Sequence, residues 1–145
     1  MSTYLLDVNC LVAAAWPNHV HYSRTRRWLE SGGLNSWATT PEVQAGFLRV
    51  SMNARVTGNE VSFAEAITIL SGLLAAGNHQ LVVNDVTPLK WPDWLRLRLQ
   101  GHRQVADAAL IACALTKELT LATLDEGLLD LVDAPHHHLI HPIPL

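Results

Sequence analysis

The chain has 145 residues, 49 % of them apolar and 16 % charged, enough for one buried core and too apolar for a disordered chain. A formal charge of −3 with neutral histidines excludes a protein that holds nucleic acid by bulk positive charge. No apolar run reaches the ~18 residues of a membrane span, and the opening MSTYLLD lacks the basic start and the length of a signal peptide, so no membrane segment is expected.

TYLLD predicts a short buried strand, and NCLVAAAW a helix that Pro17 stops. Cys10 in that helix and Cys113 near the other end of the chain sit in apolar surroundings without metal-ligand spacing. Both read as packing thiols of a reduced, cytoplasmic protein. HVHYSRTRRWLESGG predicts a second helix with Val20, Trp28 and Leu29 on one apolar side and Gly32-Gly33 at its end. A strand in LNSWATT follows, then a helix over PEVQAGFLRVSMN with Pro41 in first position. SFAEAITILSGLLAAG is helical by the spacing of Phe63, Ala66, Ile67, Leu70, Leu73 and Leu74, with Ser62 and Glu65 as a capping box; its apolar side is core or interface. QLVVND predicts a third strand, and TPLKWPDWLRLRLQGH is the least regular stretch. VADAALIACALTKEL is a helix, TLAT a strand, DEGLLDLV a short helix and HLIHPIPL a closing strand. Short apolar strands alternating with helices predict an α/β fold, one domain over residues 1–145 with a mostly parallel sheet covered on both faces.

Three carboxylates stand where strands hand over to helices. Asp7 and Asp125 occupy predicted strand ends, and Asp107 falls at the front of its helix. In open parallel sheets such carboxyl edges form the binding crevice. Capping explains each aspartate singly, at about 1 kcal/mol apiece. It explains the set poorly, because Ser, Thr and Asn cap as well. Converging carboxylates raise one another's pKa unless a cation neutralises them, and a hard divalent ion with oxygen ligands, Mg²⁺ or Mn²⁺, meets that need. The chemistry that follows is hydrolysis of a phosphodiester.

LLDVNCLVAA, NHVHYSRTRRWLES, TTPEVQAGFLRVSMN, QVADAALIACAL and LTLATLDEGL, in this order and spacing, resemble a PIN domain. More narrowly, they resemble the VapC-type toxin ribonucleases of bacterial toxin–antitoxin pairs. The resemblance covers nearly the whole chain. It implies a PIN-like three-layer α/β fold and a metal-dependent endoribonuclease acting on RNA, forming homodimers and covered by a cognate antitoxin protein. Asp7 and Asp107 would hold Mg²⁺, and Asp125 would join through water or orient the attacking water. Thr123 and Asn9 would support the site by hydrogen bonds.

One segment departs from that pattern. Many relatives place an acid two residues before the glycine of GFLR, where this chain has Gln44; the available acid is Glu42. Two helical positions differ by about 200° around the axis. Either Glu42 reaches the site from the first turn, or Gln44 serves as a neutral orienting amide.

Cations near an acidic RNA site would meet phosphates. Arg49, Arg96, Arg98, His102 and Arg103 are candidates, with Arg24, Arg26 and Arg27 as a further cluster. Trp91 and Trp94 suit base stacking or core packing. HHHLIH, from His136 to His141, lacks zinc-ligand spacing and reads as surface histidines. Three rivals stand beside the nuclease reading. A phosphotransferase of the haloacid-dehalogenase or receiver type needs paired acids that Asn9 and its surroundings do not supply. A non-catalytic PIN-like RNA-binding or scaffold module draws support from Gln44. A plain α/β domain would use its aspartates only as caps.

Overall fold

The computed structural model describes residues 2–145; Met1, the first residue of the predicted domain, lies outside them. Five strands form one sheet: β1 (Tyr4–Leu6), β2 (Trp37–Thr39), β3 (His79–Leu81), β4 (Thr120–Thr123) and β5 (Ile140–Pro142). Their spatial order is β3-β2-β1-β4-β5, and every neighbouring pair is parallel, with Leu5 opposite Ala38 on one side and Leu121 on the other. The strands are short, and the central β1, β2 and β4 are buried on both faces. Leu5, Leu6, Ala38, Leu121 and Ala122 have no exposed surface, which is why these segments read as continuous apolar runs.

Among the described residues seven α-helices join the strands: α1 (Val8–Ala15), α2 (Tyr22–Ser31), α3 (Pro41–Ser51), α4 (Ala54–Thr57), α5 (Phe63–Leu74), α6 (Asp93–Arg96) and α7 (Val105–Lys117). From β1 the chain steps outward through β2 to β3, then crosses back to β4 on the other side of β1. Right-handed crossovers place the helices of the two halves on opposite faces. The packing agrees, because α1 contacts α2, α3 and α5 while α7 lies on β4. The strand order therefore reverses between β1 and β4, and the crevice beyond their carboxyl ends is the switch point of the sheet.

Local chemistry sets the element boundaries. Asp7, Thr40 and Ser62 cap α1, α3 and α5, the last through the predicted box with Glu65. At Gly46 an added Cβ would lie 2.6 Å from Val8 Cγ2, so a glycine is what lets α3 close on α1.

Several expectations shift. Val20 precedes α2 and is 85 % exposed; Thr25 takes the buried place beside Trp28 and Leu29, since the 19–21 turn closes with the Tyr22 N–H donating to His19 O. β3 spans His79–Leu81 rather than residues 80–85. After the Val82 N–H bonds to Thr39 O the chain leaves the sheet, and the Asn84 amide donates to Ala109 O instead. The single turn α4, capped by Asn53, had no apolar period to announce it. The short helix expected in DEGLLDLV is a 3₁₀ helix over Glu126–Leu131. On α5 only Ala66 and Leu70 are buried, while Phe63 and Ile67 remain exposed. No helix among the described residues is long and apolar enough to cross a membrane.

Candidate active site

Asp7 leaves β1 in extended conformation, and its side chain turns back onto the first turn of α1, where Oδ1 accepts the Cys10 N–H at 2.8 Å. The carboxylate is 7 % exposed. Behind it, the buried Cys10 thiol donates to Ala122 O at 3.4 Å and ties α1 to β4. At the end of β4 the fully buried Thr123 stands between two acids. Its Oγ1 accepts the Asp125 backbone N–H at 3.0 Å and lies 3.5 Å from Asp7 Oδ2, to which it donates. Asp125 caps the 3₁₀ turn, Oδ1 accepting the Gly127 N–H at 2.8 Å. A Cβ on residue 127 would sit 2.9 Å from that oxygen, so Gly127 makes the approach possible.

Capping is therefore a true description of Asp7 and Asp125. It fails for Asp107, which lies in the third position of α7 and caps nothing. Half-buried, Asp107 has its pKa raised to about 6, by burial first and then by the charges of Asp7 and Asp125. Asp7 is raised as well; burial is the main cause and Asp125 adds to it, against the Cys10 and Thr123 hydrogen bonds that favour the ionised form. The three carboxylates thus share one electrostatic field.

No protein cation answers them. Among the described residues the side-chain ion pairs join Arg96 to Asp93, Lys117 to Asp85 and His136 to Asp133, none of them in this group. Nor do any three His, Cys, Asp or Glu side chains among these residues form a ready-made metal cage. An all-oxygen donor set with unneutralised charge fits a hard divalent ion that keeps most of its waters and takes one or two carboxylates. It does not fit a softer ion that needs nitrogen or sulfur.

Two open clefts flank the aspartates. A groove of about 360 Å³ between α3 and α7 is lined by Val8, Glu42, Arg49, Asn84 and Ala106. A depression of about 510 Å³ on the other side is lined by Asn9, His19, Val20, His21, Leu124 and Asp125. Val8 faces one cleft and Asn9 the other, directly after Asp7. Of the two α3 candidates, Glu42 lines the groove. Gln44 does not; its amide donates to Thr39 Oγ1 at 3.0 Å, and that hydroxyl is 2.7 Å from His79 Nε2.

The remaining candidates scatter. Arg96, Arg98, His102 and Arg103 are exposed on the irregular segment before α7, with Arg98 donating to Trp94 O. Arg24 and Arg26 are tied to the Ile143 and Ala14 carbonyls. Trp91 is core, and Trp94 stacks on His136 with ring centroids 4.7 Å apart. The C-terminal histidines are less superficial than expected. His136 pairs with Asp133 at 2.5 Å, and His141 packs between Tyr4 and Trp28. Sequence reasoning passed over His19 and His21; the only signal was their place in the segment that opens α2.

The PIN domain model matches residues 4–134. Among curated proteins of Mycobacterium tuberculosis, ribonuclease VapC38 is 40 % identical over 127 residues, 88 % of either chain. Ribonuclease VapC39 is 38 % identical over 132 residues, 91 % of this chain and 95 % of that one, and ribonuclease VapC44 is 32 % identical over 124 residues, 86 % and 87 %. An acidic crevice at the switch point of a five-stranded parallel sheet, joined to matches along nearly the whole length, leaves one conclusion: the chain belongs to the PIN domain family.

Proposed function

We propose that this chain is a metal-dependent endoribonuclease, the toxin member of a toxin–antitoxin pair, which hydrolyses phosphodiester bonds of RNA. The observation that carries this is the group of interacting aspartates that no cation among the described residues pairs, in a chain 40 % identical to a ribonuclease. Asp7 and Asp107 would hold Mg²⁺ or Mn²⁺, and Asp125 would complete the acidic group or orient the attacking water. When bound, the ion neutralises the carboxylates, makes a nearby water more acidic and steadies charge on the phosphate.

The protein's own part is positioning. Asp7 is fixed at both oxygens, by the Cys10 N–H and the Thr123 hydroxyl, so its lone pairs are aimed before any ligand arrives. Thr123 also holds the Asp125 backbone and so couples the two strand ends. Asn9 offers an exposed amide beside Asp125. The RNA strand crosses from the groove to the depression, over the aspartates. Glu42 and Arg49 act at the groove rim, and Gln44 braces Thr39 rather than the scissile bond. Arg96, Arg98, His102 and Arg103 supply positive charge along the approach. A cognate antitoxin covers this face until the toxin is released, and the active form is a cytoplasmic homodimer.

A scaffold or binding module without chemistry would have no use for carboxylates kept at the expense of mutual repulsion. Purified chain and its Asp7→Asn variant, given RNA with Mg²⁺ and then with chelator, test the reading. Cleavage is expected only for the unaltered chain with metal. Equal cleavage by both proteins, or cleavage that survives chelation, removes it.

A further inference from the structure

We propose that the depression beside Asp125 is a nucleotide subsite, in which the imidazoles of His19 and His21 donate hydrogen bonds to an RNA phosphate next to the scissile one. The proposal rests on the ribonuclease reading for its substrate, and on the following geometry for its residues.

The two rings lie 5.8 Å apart on a short turn that the fold holds firmly. The His19 N–H donates to Trp16 O, the Tyr22 N–H to His19 O, and the Asn18 amide to Thr57 O at 2.8 Å. The tautomers follow from the neighbours. His19 Nδ1 accepts the His21 backbone N–H at 3.0 Å, so its ring proton sits on Nε2. His21 Nδ1 lies 3.4 Å from Arg24 Nη1, a group that only donates, so its proton is on Nε2 too. Arg24 is itself anchored on Ile143 O. Neither Nε2–H has a protein acceptor among the described residues, although both residues line the depression with Asn9 and Asp125. A pair of fixed donors without protein partners, open to the depression, is a recognition element in waiting.

Its chemistry suits a phosphate close to carboxylates. A lysine here would be drawn onto Asp125 as an ion pair, whereas an imidazole N–H, held by its ring geometry, donates without reaching for the acidic centre. Partial burial and the neighbouring His21 both favour the neutral ring of His19. The exposed Val20 and the half-buried Leu124 give the same depression an apolar border on which ribose and base can rest.

The test uses the full chain carrying Asp107→Asn, so that RNA is bound and not cut, and a fluorescently labelled mixed-sequence RNA 12-mer in chelator. His19→Ala with His21→Ala is expected to weaken binding about tenfold or more. His19→Gln with His21→Gln keeps an amide donor at each place and is expected to recover most of the affinity. In the otherwise unaltered enzyme the alanine pair should raise KM by a similar factor, with kcat within about twofold, since these donors hold RNA rather than the reacting atoms. Its Mn²⁺ affinity should not move. Unchanged RNA affinity overturns the subsite, as does a fall in kcat that follows Mn²⁺ affinity. If the parent chain cuts no RNA, the ribonuclease reading fails separately, and the binding measurement still decides the role of the histidines.

Discussion

Two acidic regions of this protein are built on opposite rules. Along the C-terminal segment and the outer end of α7, carboxylates meet protein cations or donors: Asp133 lies against His136, which also stacks on Trp94, and Lys117 holds Asp85 below the usual carboxylate range. At the switch point, Asp7 and Asp125 raise Asp107, Asp125 also raises Asp7, and among the described residues no Lys or Arg pairs with any of the three. The first arrangement is what stability alone selects. The second is strain the fold tolerates at a site where positive charge has to come from outside.

Breaking the second arrangement gives the largest effect. Asp107→Asn is expected to reduce RNA cleavage by more than the roughly 10–100-fold typical of losing a group behind a metal ligand. Thr123→Val tests the layer behind. It removes the hydroxyl that touches both Asp7 and the Asp125 backbone, keeps the buried volume, and should fall within that roughly 10–100-fold range, with a matching loss of Mn²⁺ affinity. A valine variant with full activity would mean that the 3.5 Å contact to Asp7 does not aim the carboxylate.

How these regions read from sequence differs for the same reason. The apolar strands were legible because burial on both faces leaves a continuous run, and the caps because Asp, Thr and Ser before an apolar period have a local cause. Asp7, Asp107 and Asp125 were legible as positions, since strand ends and helix starts are local features. What stayed hidden depends on distant partners. Nothing local says that Gln44 turns to Thr39 and His79, that Trp94 lies flat on His136, or that Phe63 and Ile67 stay exposed on a helix of regular period. The HVH turn hid for another reason: two half-exposed histidines acquire meaning only once His21 N–H and Arg24 fix their tautomers.

The contrast also has a thermodynamic side, smaller in size and opposite in sign to the catalytic one. Without metal, Asp7→Asn should melt no lower than the unaltered chain and somewhat higher. Asn caps a helix about as well as Asp, and the change relieves a buried charge. Asp7→Ala removes the cap too and should lose about 1 kcal/mol relative to Asp7→Asn. Added Mn²⁺ should reverse the order by stabilising only the unaltered chain. Melting curves with and without Mn²⁺ check all of this; an Asp7→Asn protein that melts below the metal-free parent would show that the carboxylate is not under strain.

Acid gives the finest test. The Asp107 carboxyl has a folded pKa of about 6 against 3.8 in the unfolded chain, so the folded state binds the extra proton between those values. Its stabilising contribution is complete below about pH 4 and is lost as the pH rises through about 6. With Asp107 half exposed, solvent screening limits the effect to about 1 kcal/mol. Urea midpoints of the metal-free chain at pH 5 and pH 7 should therefore fall with rising pH, and Asp107→Asn should flatten the slope. His136→Ala is the control from the paired region. It should cost about 1 kcal/mol through the lost stacking on Trp94 and leave cleavage unchanged. A slope that survives Asp107→Asn unchanged would place the strain outside the switch point and overturn the comparison.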